Sequence, residues 1–393
     1  MTLLLVLTVV SAVITFGLSV AVWKISVHFH LYLGIRERDM HTHPTPRLGG
    51  IAMFIGVLGA FGVALALAAR HPVLNVVFAD PTPVLAVLGG AFLIVVMGVV
   101  DDLWDLDWMT KLAGQFIAAG VVAWLGVQIY SLPIGGAITV GSSWMSLAIT
   151  VFAIVLVMNA VNFIDGLDGL VAGVALIANA AFLVYVYLLT RQISPTNYFS
   201  LSAVIAAILV GACAGFLPLN WHPARLFMGD AGALLIGMLM AVSAISVTGK
   251  INPSTIQGLG TGQLFPVFLP IILPFAVLVV PLLDFTMAVL RRLRAGKSPF
   301  SADRKHLHHR LIDMGHSTLG AVVVFYSWTS VVSVGCLLFF FRPYWIGVLF
   351  LVVGTLVCAF VTLAPLLRRR WRERTARREN RRTLPTALKE AQR

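Results

Sequence analysis

Four segments of this 393-residue chain set carboxylates, amides, glycines and histidines at spacings that can do chemistry. In Met97-Gly98-Val99-Val100-Asp101-Asp102-Leu103-Trp104-Asp105, Asp101 and Asp102 reach Asp105 at the i+4 and i+3 spacings that share a helix face. Like charges this close repel unless a cation or a shared proton relieves them, so adjacent acids ending an apolar run favour a cation or proton role over a mere water boundary. In Asn159-Ala160-Val161-Asn162-Phe163-Ile164-Asp165-Gly166-Leu167-Asp168-Gly169, the residues Asn159, Asn162 and Asp165 recur every three positions on one helix side, before paired Asp-Gly steps break the helix. Asp-Gly is a common turn pair. Two carboxylates and two amides on one strip nevertheless favour a ligand, because their hard oxygens suit Mg²⁺ or sugar hydroxyls and glycine lets backbone approach closely.

The third segment, Asn220-Trp221-His222-Pro223-Ala224-Arg225-Leu226-Phe227-Met228-Gly229-Asp230-Ala231-Gly232, ends in a turn that opens a helix. A helix N-terminus there offers N–H groups to phosphate, and Asp230 is either part of that site or the helix N-cap. The fourth holds Asp303-Arg304-Lys305-His306-Leu307-His308-His309-Arg310-Leu311. Such a loop can be a basic anchor or, through its histidines, a zinc site. The nearby acids form an all-oxygen set better suited to Mg²⁺, which leaves the histidines and arginines as a diphosphate clamp. Lys111, opening another apolar run, either snorkels to the interface or meets a lipid phosphate. Arg36, Arg38, His41, His43 and Arg47 offer further phosphate contacts, whereas Asp284 reads as structural.

The elements that position these residues are membrane helices. Hydrophobic residues make up 59% of the chain and charged residues 11%, against about 25% charged in soluble domains, which excludes an ordinary water-soluble enzyme. Uncharged intervals at 1–23, 48–69, 81–100, 112–164 (long enough for two spans, with a break at Leu132-Pro133-Ile134-Gly135-Gly136), 169–190, 192–218, 231–249, 251–283, 314–341 and 343–367 predict about eleven transmembrane helices. The 251–283 interval contains Pro266, Pro270, Pro274 and Pro281 and is expected to be kinked or broken. The fold class is thus an all-α polytopic membrane protein, with a transmembrane domain over 1–367 and a basic tail over 368–393.

Loops on one side of this layout hold 24 of the 28 Lys and Arg residues, which predicts an outside N-terminus and a cytoplasmic C-terminus. The net charge of +12 could suggest nucleic acid, but eleven of those 28 residues lie after Leu367, so the excess reads as orientation and lipid contact. Cys213, Cys336 and Cys358 sit in apolar runs without metal-like spacing and read as packing residues. The N-terminus reads as a retained first span rather than a removed signal peptide.

Fifteen of the sixteen acidic residues fall on the predicted cytoplasmic face, with the His and Arg clusters and Lys111. Acids gathered at one end fit Mg²⁺-assisted phosphoryl transfer between a soluble diphosphate and a membrane-embedded acceptor better than a transport path, which places acids at the midplane. These four segments, in this order, resemble those of the polyprenyl-phosphate N-acetylhexosamine-1-phosphate transferase family over about residues 36–312. Within it, Asp303 followed by His306-Leu307-His308-His309 resembles the GlcNAc-1-phosphate transferases rather than the phospho-MurNAc-pentapeptide branch, which usually has three consecutive histidines after a proline.

The resemblance implies transfer of GlcNAc-1-phosphate from UDP-GlcNAc to a polyprenyl phosphate (undecaprenyl or decaprenyl), with release of UMP, at the cytoplasmic face of a bacterial plasma membrane. It also implies Mg²⁺, with Mn²⁺ as an alternative ion, and is compatible with a homodimer. Asp230 becomes the metal ligand, with Asp165 or Asp168 near the metal and the UDP-sugar. Asp101 and Asp102 handle the lipid phosphate, one of them as its base, and His306 joins this catalytic set. Phe227 stacks on uracil, and Lys111, Asn159, Asn162, Arg304, His308, His309 and Arg47 bind substrate. The competing readings are a phospho-MurNAc-pentapeptide transferase, another UDP-HexNAc donor, and a non-enzymatic lipid or sugar transporter.

Overall fold

The structure is a computed structural model, and it describes residues 1–30, 45–134, 137–140, 142–193, 200–248, 286–287, 290–294, 296 and 307–390. The first helices are α1 (Thr2–His28), α2 (Gly49–Ala68), the short α3 (Pro72–Phe78), α4 (Pro81–Trp104) and α5 (Trp108–Trp124). A hairpin of β1 (Ser131–Ile134) and β2 (Ala137–Val140) pairs antiparallel where the sequence carries its Pro and Gly-Gly break. Then follow α6 (Ser143–Ile164), α7 (Leu170–Ile193), α8 (Leu201–Asn220), α9 (Gly229–Thr248), α10 (Leu307–Asp313), α11 (Thr318–Phe341) and α12 (Tyr344–Glu390).

Nine of the described helices are long and apolar enough to cross a membrane: α1, α2, α4, α6, α7, α8, α9, α11 and α12. A tenth expected span coincides with α5, whose 17 residues cover about 25 Å at 1.5 Å per residue. The proline-rich 251–283 interval lies outside the described residues.

Helix starts follow their capping residues. Asp80 accepts from Thr82 N–H at 3.0 Å, just before Pro81 at the first position of α4. Asp107 accepts from Met109 N–H at 3.0 Å and Thr110 N–H at 3.1 Å at the start of α5. The Thr110 hydroxyl, together with these amides, holds the Asp107 carboxyl below the usual carboxylate range. Ser142, Ser200 and Ser317 cap α6, α8 and α11 in the same way.

The bundle is organised around α9, which packs on α2, α4, α6 and α8. Within its apolar window 89% is buried, against 11% for the more apolar α12, whose surface is thus left for a lipid environment. Small residues let the helices close. Gly211 and Gly215 on α8 leave no room for a Cβ beside the Thr8 and Ala12 carbonyls of α1. There the Thr8 hydroxyl donates to Ala207 O at 3.0 Å and Ser11 to Ile208 O at 2.7 Å. Cys213, Cys336 and Cys358 are free and buried, as packing residues would be.

Candidate active site

The C-terminus of α4, the N-terminus of α5, the C-terminus of α6 and the N-terminus of α9 meet at one end of the bundle, because α4 and α6 both pack on α9 and α5 packs on α4 and α6. This convergence depends on glycine. A Cβ on Gly98 would stand 2.3 Å from Ala231 Cα, so only glycine lets α4 approach the first turn of α9. Gly229 opens α9 with φ +66°, and a Cβ there would meet Asp102 Oδ2 at 2.2 Å and Arg47 O at 2.4 Å.

The start of α2 is stitched into the same corner. Gly49 and Gly50, whose N–H groups have no partner within α2, donate to Phe227 O and Met228 O at 2.9 Å each. Phe227 N–H donates in turn to Pro46 O at 2.8 Å. Arg47 and Phe227 therefore stand in adjoining backbone segments, each with its side chain half-buried.

At the centre, Lys111 Nζ lies 2.6 Å from Asp101 Oδ2 and also pairs with Asp230 Oδ2. Asp230 Oδ1 accepts from Asn162 Nδ2 at 3.0 Å. The second oxygen of Asp101 accepts from Leu106 N–H at 2.9 Å. Asp102, 5% exposed, accepts from the N–H groups of Asp230 at 3.1 Å and Ala231 at 3.4 Å. Those amides at the head of α9 were the ones the sequence offered to a phosphate, and a carboxylate from α4 meets them instead. Asp230 does not cap its own helix; its oxygens face Lys111 and Asn162.

Asp101, Asp102 and Asp230 each offer an oxygen, all within 4.8 Å of one another. An all-oxygen carboxylate set of this size suits a hard divalent cation. Neither Asp165 nor Asp168 belongs to that set.

One turn deeper, Asn159 Nδ2 donates to Gln115 Oε1 and, at 2.8 Å, to Val155 O. Asn159 thus joins α6 to α5 rather than lining the carboxylate triad. Gln115 was not anticipated from the sequence. Its signal was a lone amide in an apolar run, i+4 from Lys111 and so on the same helix face.

Asp165 ends α6 as its C-cap residue and is half-buried. Asp168 turns away from the triad. Its carboxylate, 1% exposed, meets His222 Nδ1 at 2.8 Å and Ala224 N–H at 3.1 Å. Asn220 spans the same two loops, accepting from Gly169 N–H at 3.1 Å and donating to Leu226 O at 3.1 Å. Asn220 and His222 stood in a segment in which the sequence had pointed to Phe227 and Asp230. Arg304 and His306 lie outside the described residues, as do Arg36, Arg38, His41, His43 and the side chains of His308 and His309.

The pattern of glycosyl transferase family 4 matches residues 84–248, the stretch from α4 through α9 that builds the triad. The decaprenyl-phosphate N-acetylglucosaminephosphotransferase of Mycolicibacterium smegmatis is 41% identical over 371 residues, covering 91% of this chain and 87% of that one. The protein of the same description from Mycobacterium tuberculosis is 42% identical over 343 residues, covering 85% of this chain and 82% of that one. The probable undecaprenyl-phosphate N-acetylglucosaminyl 1-phosphate transferase of Bacillus subtilis is 32% identical over 315 residues, covering 79% and 78%. Sequence motifs, a multi-span helical bundle and near full-length relatives converge, and the chain belongs to glycosyl transferase family 4.

Proposed function

We propose that this protein transfers GlcNAc-1-phosphate from UDP-GlcNAc to a membrane-embedded polyprenyl phosphate of undecaprenyl or decaprenyl type. An oxygen of the lipid phosphate attacks the β-phosphorus of UDP-GlcNAc, a new P–O–P bond forms, the bond between that phosphorus and the bridging oxygen breaks, and UMP leaves. The observation that carries this reading is the Lys111 ammonium between Asp101 and Asp230 at the end of an apolar bundle, where a soluble diphosphate and a lipid phosphate can meet. The names of relatives sharing about two fifths of their residues with this chain support the donor and the acceptor.

Asp230, with Asp101 or Asp102 beside it, would hold Mg²⁺, or Mn²⁺ in its place, and Asp165, in the chain's second acidic segment, would face the ion and the UDP-sugar. The ion when bound neutralises diphosphate charge. Lys111 draws the acceptor phosphate to the membrane end of the site, and Asp101 or Asp102 takes its proton. Asn162 fixes the Asp230 carboxylate, Phe227 stacks on uracil, and Arg47, Arg304, His306, His308 and His309 bind the anionic oxygens of the donor.

The active site is cytoplasmic in this reading, with eleven spans, the N-terminus outside and the tail inside. The nine long spans, α5 bracketed by the exposed Trp108 and Trp124, and the apolar 251–283 interval support the count. The basic residues of 368–393 support the sidedness and form a separate tail that contacts anionic lipid.

The test is UMP release by the purified full chain in detergent with polyprenyl phosphate and Mg²⁺, comparing UDP-GlcNAc with UDP-MurNAc-pentapeptide. Lipid-dependent and Mg²⁺-dependent UMP from UDP-GlcNAc alone is expected. UMP from the muropeptide donor alone would reassign the substrate, and binding without UMP would point to a transporter.

A further inference from the structure

His222 is half exposed, yet it bonds to a carboxylate that is almost fully buried. Asp168 Oδ2 accepts from Ala224 N–H as well as from the imidazole, so it acts as an acceptor toward both, and the ring donates through Nδ1–H. A buried carboxylate that loses a donor carries a penalty, and two of the donors to Asp168 come from 222–224. Asn220 adds a second tie between the same segments, from Gly169 N–H to Leu226 O. On the far side, the Tyr326 hydroxyl of α11 donates to Gly169 O. The turn at 165–169 and the loop at 220–228 are thereby joined into one unit. Asp165 stands on one part of it and Phe227 on the other, and the loop leads directly into Asp230.

We propose that His222 is a positioning residue for the nucleotide-sugar: through Nδ1–H it fixes Asp168 and so clasps the α6–α7 turn to the loop that carries Phe227 into α9. The inference rests on the reading that these two segments take the UDP-sugar. It assigns His222 no contact with the donor and no part in proton transfer. The ring acts on the geometry of the pocket, so its loss is felt in donor affinity before acceptor affinity.

The test compares full-length wild type with His222→Leu, His222→Asn and His222→Gln in detergent, titrating each substrate against a fixed excess of the other. An asparagine amide can stand where Nδ1–H stands, whereas a glutamine amide reaches the position of Nε2. The clasp predicts that His222→Leu raises the KM for UDP-GlcNAc about 10- to 100-fold, the loss expected for a hydrogen bond to a charged group. It also predicts little change in kcat or in the KM for polyprenyl phosphate. His222→Asn should return the donor KM to within about 3-fold of wild type, and His222→Gln should not. Rescue by glutamine but not asparagine would overturn the proposal by showing a direct Nε2 contact with the donor. An unchanged donor KM in His222→Leu, or equal losses for both substrates, would overturn it too.

Amide hydrogen exchange separates this proposal from the assignment of the reaction. Segments 165–170 and 220–228 should exchange faster in His222→Leu and as slowly as wild type in His222→Asn, whether or not wild type releases UMP. Unchanged exchange in the leucine variant would rule out a clasp.

Discussion

Lys111 on α5 and Asp230 on α9 stand 119 residues apart in the chain and form an ion pair at the end of the bundle, with Asp101 of α4 on the other side of the same ammonium. Three helices thus bring one cation and two carboxylates to a single point. The ammonium offsets part of the carboxylate charge within the protein before any substrate arrives, which lowers the cost of gathering acids at this depth.

Lys111→Ala should lower transfer by about 100- to 1000-fold, the scale for removing one preorganised electrostatic contact. Lys111→Arg should recover only part of this, because a planar fork does not replace a compact ammonium between two carboxylates. Turnover of monodisperse protein is the measurement, and near-normal rates in Lys111→Ala would remove the lysine from the site.

Asp102 behaves differently, because its oxygens are engaged by the backbone at the head of α9. Asp102→Ala leaves two amides without their carboxylate, a cost of about 2 kcal/mol. Thermal unfolding in detergent should therefore start several degrees lower, together with loss of transfer. Lys111→Ala should lose transfer with a smaller thermal shift, so the pair of variants separates a bracing carboxylate from a substrate-facing ammonium.

Gly229→Ala places a methyl group against Asp102 Oδ2 and Arg47 O at a backbone conformation that L side chains rarely adopt. A destabilisation of about 1–3 kcal/mol follows, with loss of transfer because Asp230 is the next residue. Thermal unfolding and turnover measured on one preparation check both. A fully active, fully stable Gly229→Ala would contradict the close approach of α4, α2 and α9.

The long helices were legible in the charge-free intervals, and α4, α6 and α9 end or begin within a few residues of their acidic motifs. Asp101, Asp102, Lys111, Asn162 and Asp230 could be named as site residues because each interrupts an apolar run near a helix end. Their partners could not, since pairing depends on how α4, α5, α6 and α9 rotate against one another. That is why Asn159 was read on the same strip as Asn162 although it bonds to Gln115 one turn deeper. Asp168 shows the same limit: an Asp-Gly turn signals exposure, yet this carboxylate is buried under a loop more than 50 residues away. The helix α3 and the extension of α12 to Glu390 left no periodic signal distinct from their neighbours.

The tail is expected to be dispensable for chemistry. A chain ending at Arg368 keeps the whole apolar span of α12 and all four site segments. Its turnover in detergent should lie within about 2-fold of the full chain, while affinity for anionic vesicles should fall, given roughly 1 kcal/mol per basic residue near a charged surface. Loss of turnover in a stable truncation would tie the tail to the site.

In this reaction the protein moves a sugar phosphate rather than a sugar. UDP-GlcNAc radiolabelled in its β-phosphate, incubated with polyprenyl phosphate, Mg²⁺ and the purified chain, tests it in one step. The label should pass into the lipid phase and leave unlabelled UMP behind. Label retained in aqueous UDP while GlcNAc enters the lipid, or no transfer by folded protein, would contradict the account.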